Sequence, residues 1–136
     1  MVRIDVSYAG DLRCEAEHGP SHMRLTTDAP VDNQGRGEAF SPTDLTAAAL
    51  GTCATTIMGI YARNRSLSLE GLRVRVEKEM TAIPPRRIAR ISLTFDLPAG
   101  LTPDHRRALE RCLETCPVRL SLHPEVEVVA TFNYPD

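Results

Sequence analysis

The sequence predicts an α+β protein with mostly antiparallel sheet, on three observations. One long segment, 45–62, carries no charge. Short segments of period-two hydrophobic alternation lie on both sides of it, and a second, amphipathic helical pattern follows late in the chain. A chain of 136 residues is enough for one domain with a single packed core.

The elements follow in order. Ile4 to Tyr8 alternates apolar and polar residues, and Leu12 to Glu17 does so more weakly, with Gly10-Asp11 as the turn between them. Met23 to Thr27 is a third short strand, closed by Asp28-Ala29-Pro30. The polar, glycine-bearing run V-D-N-Q-G-R-G-E, 31–38, is a loop into the long helix. Ser41 can cap that helix, Pro42 suits its first position, and Asp44 completes a capping-box-like S-x-x-D. A helix apolar on all sides is a buried one, so this should be the central helix. Four threonines, two glycines and few large aliphatics argue against a membrane span. Ala47-Ala48-Ala49 with Gly51 implies that another backbone packs closely there.

Leu69 to Met80 and Ile88 to Leu97 are alternating strands separated by Pro84-Pro85. Thr102 and Pro103 open a second helix running to about Thr115, with Ala108, Leu109, Cys112 and Leu113 on one stripe. Cys116-Pro117 interrupts it, a short helical turn extends to Leu122, and Val126 to Tyr134 is the closing strand.

Composition narrows the function. The net charge is −2 and aromatic residues make up 4%, so neither a polyanion-binding face nor a base-stacking platform is expected. The N-terminal residues carry an early acid and no long apolar run, unlike a secretory signal, so a reducing cytoplasmic setting is expected for the four cysteines. Cys14 and Cys112 have packing explanations as small buried hydrophobes. Cys53 sits among Thr52, Thr55 and Thr56, whose hydroxyls could donate to a thiolate or a bound oxygen. Cys116 precedes Pro117 at a possible helix start, which would make it the more acidic thiol. His105, Cys112, Cys116 and His123 match no compact zinc signature, and no oxyanion-loop motif supports a nucleophilic hydrolase.

The stretch S-P-T-D-L-T-A-A-A-L-G-T-C, followed by I-Y-A-R, resembles the cysteine helix of the OsmC/Ohr superfamily, the osmotically inducible protein C and organic hydroperoxide resistance proteins. R-C-L-E-T-C-P-V resembles that family's second cysteine motif, and D-A-P before a glycine-bearing loop also fits. The resemblance implies an intertwined homodimer and a thiol peroxidase acting on organic hydroperoxides, with no cofactor and an external dithiol as reductant. It gives Cys53 the peroxidatic role and Cys116 the resolving role. It also implies an arginine on an early strand, for which Arg13 is the match and Arg36 the rival, paired with an acid before the cysteine helix. The family's glutamate position is Thr43 here. Asp44, one place later, lies about 13 Å along an ideal helix from Cys53, so it could only orient an arginine or cap the helix. Two alternatives from other classes are a non-catalytic protein of the same fold that binds a small ligand, and a Cys/His metal-binding module.

Overall fold

The computed structural model describes residues 1–135. The chain forms two compact units, Met1–Thr46 and Ala47–Asp136. The first holds a three-stranded antiparallel sheet of β1 (Ile4–Gly10), β2 (Arg13–His18) and β3 (Arg24–Asp28) in that order. The β1–β2 turn uses left-handed backbone at Gly10, Asp11 and Leu12. After β3 the chain doubles back through a short 3₁₀ turn, Val31–Asn33. Gly35 there lies directly against Ala29: a Cβ at Gly35 would sit 1.7 Å from the Ala29 carbonyl oxygen, so no other residue fits.

Helix α1 spans Pro42–Arg63. It opens on the expected capping box: Asp44 N–H donates to Ser41 Oγ at 3.0 Å, and Ser41 N–H donates to Asp44 Oδ2 at 2.9 Å. Two otherwise orphaned amides are satisfied reciprocally, with a carboxylate at the positive end of the helix. By length and composition α1 could cross a membrane. Its Leu50, Ala54 and Met58, however, are fully buried in the core of the second unit.

That core forms where α1 meets a second sheet, β4 (Arg73–Met80), β5 (Ile88–Asp96) and β6 (Glu127–Asn133). Strand β4 pairs antiparallel with β5, and β5 pairs parallel with β6. A parallel pair needs a crossover connection, and here it carries α2 (Pro103–Cys112) and α3 (Pro117–Ser121). Ile91, Leu93 and Phe95 of β5 and Leu109 of α2 are sealed from solvent. The apolar face of β4, with Val74 and Val76, packs on the same core. Phe95 and Phe132 stack across the parallel pair with ring centroids 5.0 Å apart.

The α+β class and element order match expectation, with three refinements. The strand expected from Leu69 begins at Arg73, because Gly71 takes a left-handed conformation and Leu72 N–H closes a turn on Leu69. Helix α2 ends at Cys112 rather than near Thr115, with the chain tightening so that Cys116 N–H reaches Leu113 O at 3.4 Å. Gly51 makes room for side chains rather than backbone, since a Cβ there would lie 2.7 Å from Val76 Cγ2.

Helix α1 is also not covered all round. Thr52, Thr56, Gly59 and Ile60 are exposed in the single chain. The hydroxyls on that side are satisfied within the helix: Thr52 donates to Ala48 O at 2.9 Å and Thr56 to Thr52 O at 2.8 Å.

Candidate functional site

The second unit brings Cys53 and Cys116 together. Cys53 lies mid-way along α1 and is half-buried, whereas Cys116 caps α3 and is 0% exposed. Helix α1 is held by Leu50 and Ala54 on either side of Cys53, and the crossover is held by Leu109 and Leu113. The two side chains lie close enough to interact. The Cys53 side chain is among the groups that push the Cys116 pKa up.

This overturns the expectation that a helix start makes Cys116 acidic. Burial pushes the thiol up, the neighbouring Cys53 side chain adds to it, and the amides of Arg119 and Val118 pull the other way. A five-residue helix supplies a small dipole, and removing a thiolate from water costs more than that dipole returns. Cys116 therefore holds its proton at neutral pH.

Cys112 is not part of the pair. Its S–H donates to Ala108 O at 3.3 Å, and burial raises its pKa against the opposing pull of Arg111 and Arg65. Cys14 lies on β2, opposite Tyr8 and Thr27. The hydroxyls flanking Cys53 do not donate to it. Thr55 Oγ1 bonds Gly51 O at 2.8 Å, and Thr52 and Thr56 also donate to helix carbonyls. Among the described residues no three His, Cys, Asp or Glu side chains converge as metal ligands.

In the first unit Arg13 is gripped by two carboxylates. Its Nη2 lies 2.5 Å from Glu38 Oε1 and 3.5 Å from Asp28 Oδ2, and its side chain is only 33% exposed. Arg36, the rival, is 72% exposed and touches Glu38 only at 4.0 Å. Arg13 and Asp28 face each other in the β2–β3 register, which explains the first contact. The loop then returns Glu38, whose N–H donates to Asp28 Oδ2 at 3.0 Å.

Sequence reasoning misses Glu38 and Asp28 as partners of the arginine. Asp28 carries a usable signal in D-A-P, and Glu38 in the G-R-G-E that ends the loop. The hydrogen bond from Glu38 N–H and then the Arg13 charge hold the Asp28 carboxyl below the usual carboxylate range, against the opposing effect of burial. Asp44 sits in its capping box with Ser41.

A family model described as OsmC-like protein matches residues 35–131. Among solved structures, one from Psychrobacter arcticus 273-4, described as an osmotic stress induced and detoxification response protein, superposes with a TM-score of 0.92. It is 40% identical, over 98% of this chain and 96% of that one. An organic hydroperoxide resistance protein OsmC from Legionella pneumophila matches at TM-score 0.77 and 21% identity, covering 98% and 96% of the two chains. An OsmC-like protein from Mycoplasma pneumoniae gives TM-score 0.81 at 13% identity, with coverage of 98% and 96%. The last two comparisons speak for the fold alone. Comparison with curated proteins found no match.

The Asp28 arrangement has a consequence in acid. A carboxyl whose pKa is lower in the folded than in the unfolded chain stabilises above its unfolded value of about 3.9, and that contribution is lost as pH falls through the folded value. Asp28→Asn should therefore lower stability at pH 7 and flatten the decline of stability between neutral pH and about pH 3. Urea denaturation across that range checks it; an unchanged acid limb would show that Asp28 contributes nothing as a charge.

Proposed function

Because this chain belongs to the OsmC-like family, we propose that it is a two-cysteine peroxidase that reduces organic hydroperoxides in the cytoplasm. The observation that carries the reading is the pairing of Cys53, a half-buried thiol, with the buried thiol of Cys116 close by. The substrate class is the one that the resemblance of the two cysteine motifs implies. In the first step the Cys53 thiolate attacks the O–O bond of ROOH. The sulfur takes the terminal oxygen as a sulfenic acid, and the alcohol ROH leaves. In the second, the Cys116 sulfur attacks Cys53, the disulfide forms and water is released. An external dithiol then reduces the bridge by thiol–disulfide exchange and is itself oxidised.

Arg13 is the cation assigned to the Cys53 thiolate in this reading, with Glu38 and Asp28 fixing its guanidinium. A mid-helix thiolate gains little from the helix dipole and needs such a charge. Asp44 acts by fixing the helix start.

The active form in this reading is a homodimer. Ile4, Val6 and Tyr8 are each more than 60% exposed on β1, and the uncharged side of α1 carries exposed Ile60. Exposed apolar surface of this kind favours burial against a second copy.

Three outcomes are expected. After alkyl hydroperoxide treatment, peptide mapping should find a Cys53–Cys116 disulfide, with Cys116→Ser trapped as a dimedone-reactive Cys53 sulfenic acid. Cys53→Ser should consume no peroxide above background; a Cys112–Cys116 bridge instead, or none, would defeat the mechanism. Arg13→Ala should slow alkylation of Cys53 at pH 7 while Arg36→Ala leaves it unchanged, and the reverse pattern would transfer the role to Arg36. Sedimentation should show a dimer at micromolar concentration; a well-folded monomer would remove the assembly from the proposal.

A further inference from the structure

Apart from the two thiols, α2, α3 and β6 border an open groove of about 370 Å³ that the peroxidase reading does not use. Leu113, Ala130 and Phe132 form its apolar floor, and Arg107, Arg111, Arg119, Glu110 and Glu114 its polar wall. The volume lies at the small end of the range for ligand sites.

The charges on the wall are not balanced among themselves. Glu110 accepts a hydrogen bond from Tyr134 Oη at 2.8 Å, and this contact, with burial, raises the Tyr134 pKa. Arg107 is paired with Asp104, one turn back on α2. Among the described residues the Arg111 and Arg119 side chains make no ion pair or hydrogen bond, and they face one exposed carboxylate, Glu114. Their positions differ in kind. Arg111 ends α2 and is exposed, while Arg119 lies on α3, half-buried, three residues after Cys116. A half-buried guanidinium without a partner is an uncompensated desolvation cost that an anion would relieve.

We propose that this groove binds a small organic carboxylate with an unbranched apolar chain. Arg111 and Arg119 take the carboxylate, and the Leu113–Ala130–Phe132 floor takes the chain. Inorganic anions match the arginines but leave the floor unused, and neutral chains match the floor but leave the arginines unpaired. Only an amphiphilic anion satisfies both. Such a ligand ties the end of α2 to α3 across the Leu113–Cys116 turn, so its occupancy opposes local opening around the buried Cys116 sulfur.

The probe is decanoate, with decanol and sulfate as comparisons, on the reduced full-length chain by equilibrium dialysis. Saturable decanoate binding is expected, weakened about tenfold or more in Arg111→Gln/Arg119→Gln. Decanol and sulfate should each bind at least about tenfold more weakly than decanoate. Bound decanoate should also slow alkylation of Cys116 in Cys53→Ser, a readout independent of turnover. A photoreactive decanoate analogue should label the groove residues even if the double variant proves unstable. Labelling elsewhere, equal binding by the double variant, or decanol binding as tightly as decanoate would overturn the proposal.

Discussion

The candidate site of the second unit is built around a single buried thiol. Cys116 lies near Cys53 at a position with no solvent exposure, packed into the core of the unit. Helix α1 fixes one sulfur through Leu50, Ala54 and Met58 on β5, while the crossover fixes the other through Leu109 and Leu113. Core residues of this kind leave little slack, because protein interiors pack as densely as organic crystals. Burial outweighs the nearby amides and pushes the Cys116 thiol further above its ordinary value.

The two units solve the same electrostatic problem in opposite ways. In the second, burial keeps a thiol neutral. In the first, burial of Asp28 is tolerated as a charge, because one of its oxygens receives the Glu38 amide and the Arg13 guanidinium. Glu38 then completes a clamp on Arg13 from the solvent side. The guanidinium is thereby restricted before any thiolate is considered, and an arginine already ordered loses less entropy when it binds an anion.

Much of this is legible in the sequence, because much of it is local. The Ser41–Asp44 capping box, the Thr102-Pro103 helix start and the alternation of Val74 and Val76 are set by neighbouring residues, and each takes its expected form. What the letters hide depends on burial or distant pairing. A helix start suggests an acidic Cys116, but the shortness and depth of that helix do not show in the sequence. The threonines around Cys53 look like donors to sulfur, but their hydroxyls have nearer acceptors one turn back in the helix. Arg13 is a readable candidate, but its two acids are not the Asp44 of the capping box. The strand register supplies Asp28, and the loop brings Glu38 back beside it.

The parallel pairing of β5 with β6 fixes the order in which the molecule can be completed. The β4–β5 hairpin is local, but β6 joins β5 only after the whole crossover has been traversed. Distant pairings of this kind close late, because the entropy of the intervening loop is lost before any contact compensates for it. Cys116 travels on that crossover. On the nascent or refolding chain, Cys53 on its early helix therefore spends a period without its partner. The two sulfurs thus come together through a long-range closure of the chain, and neither helix alone can bring them there.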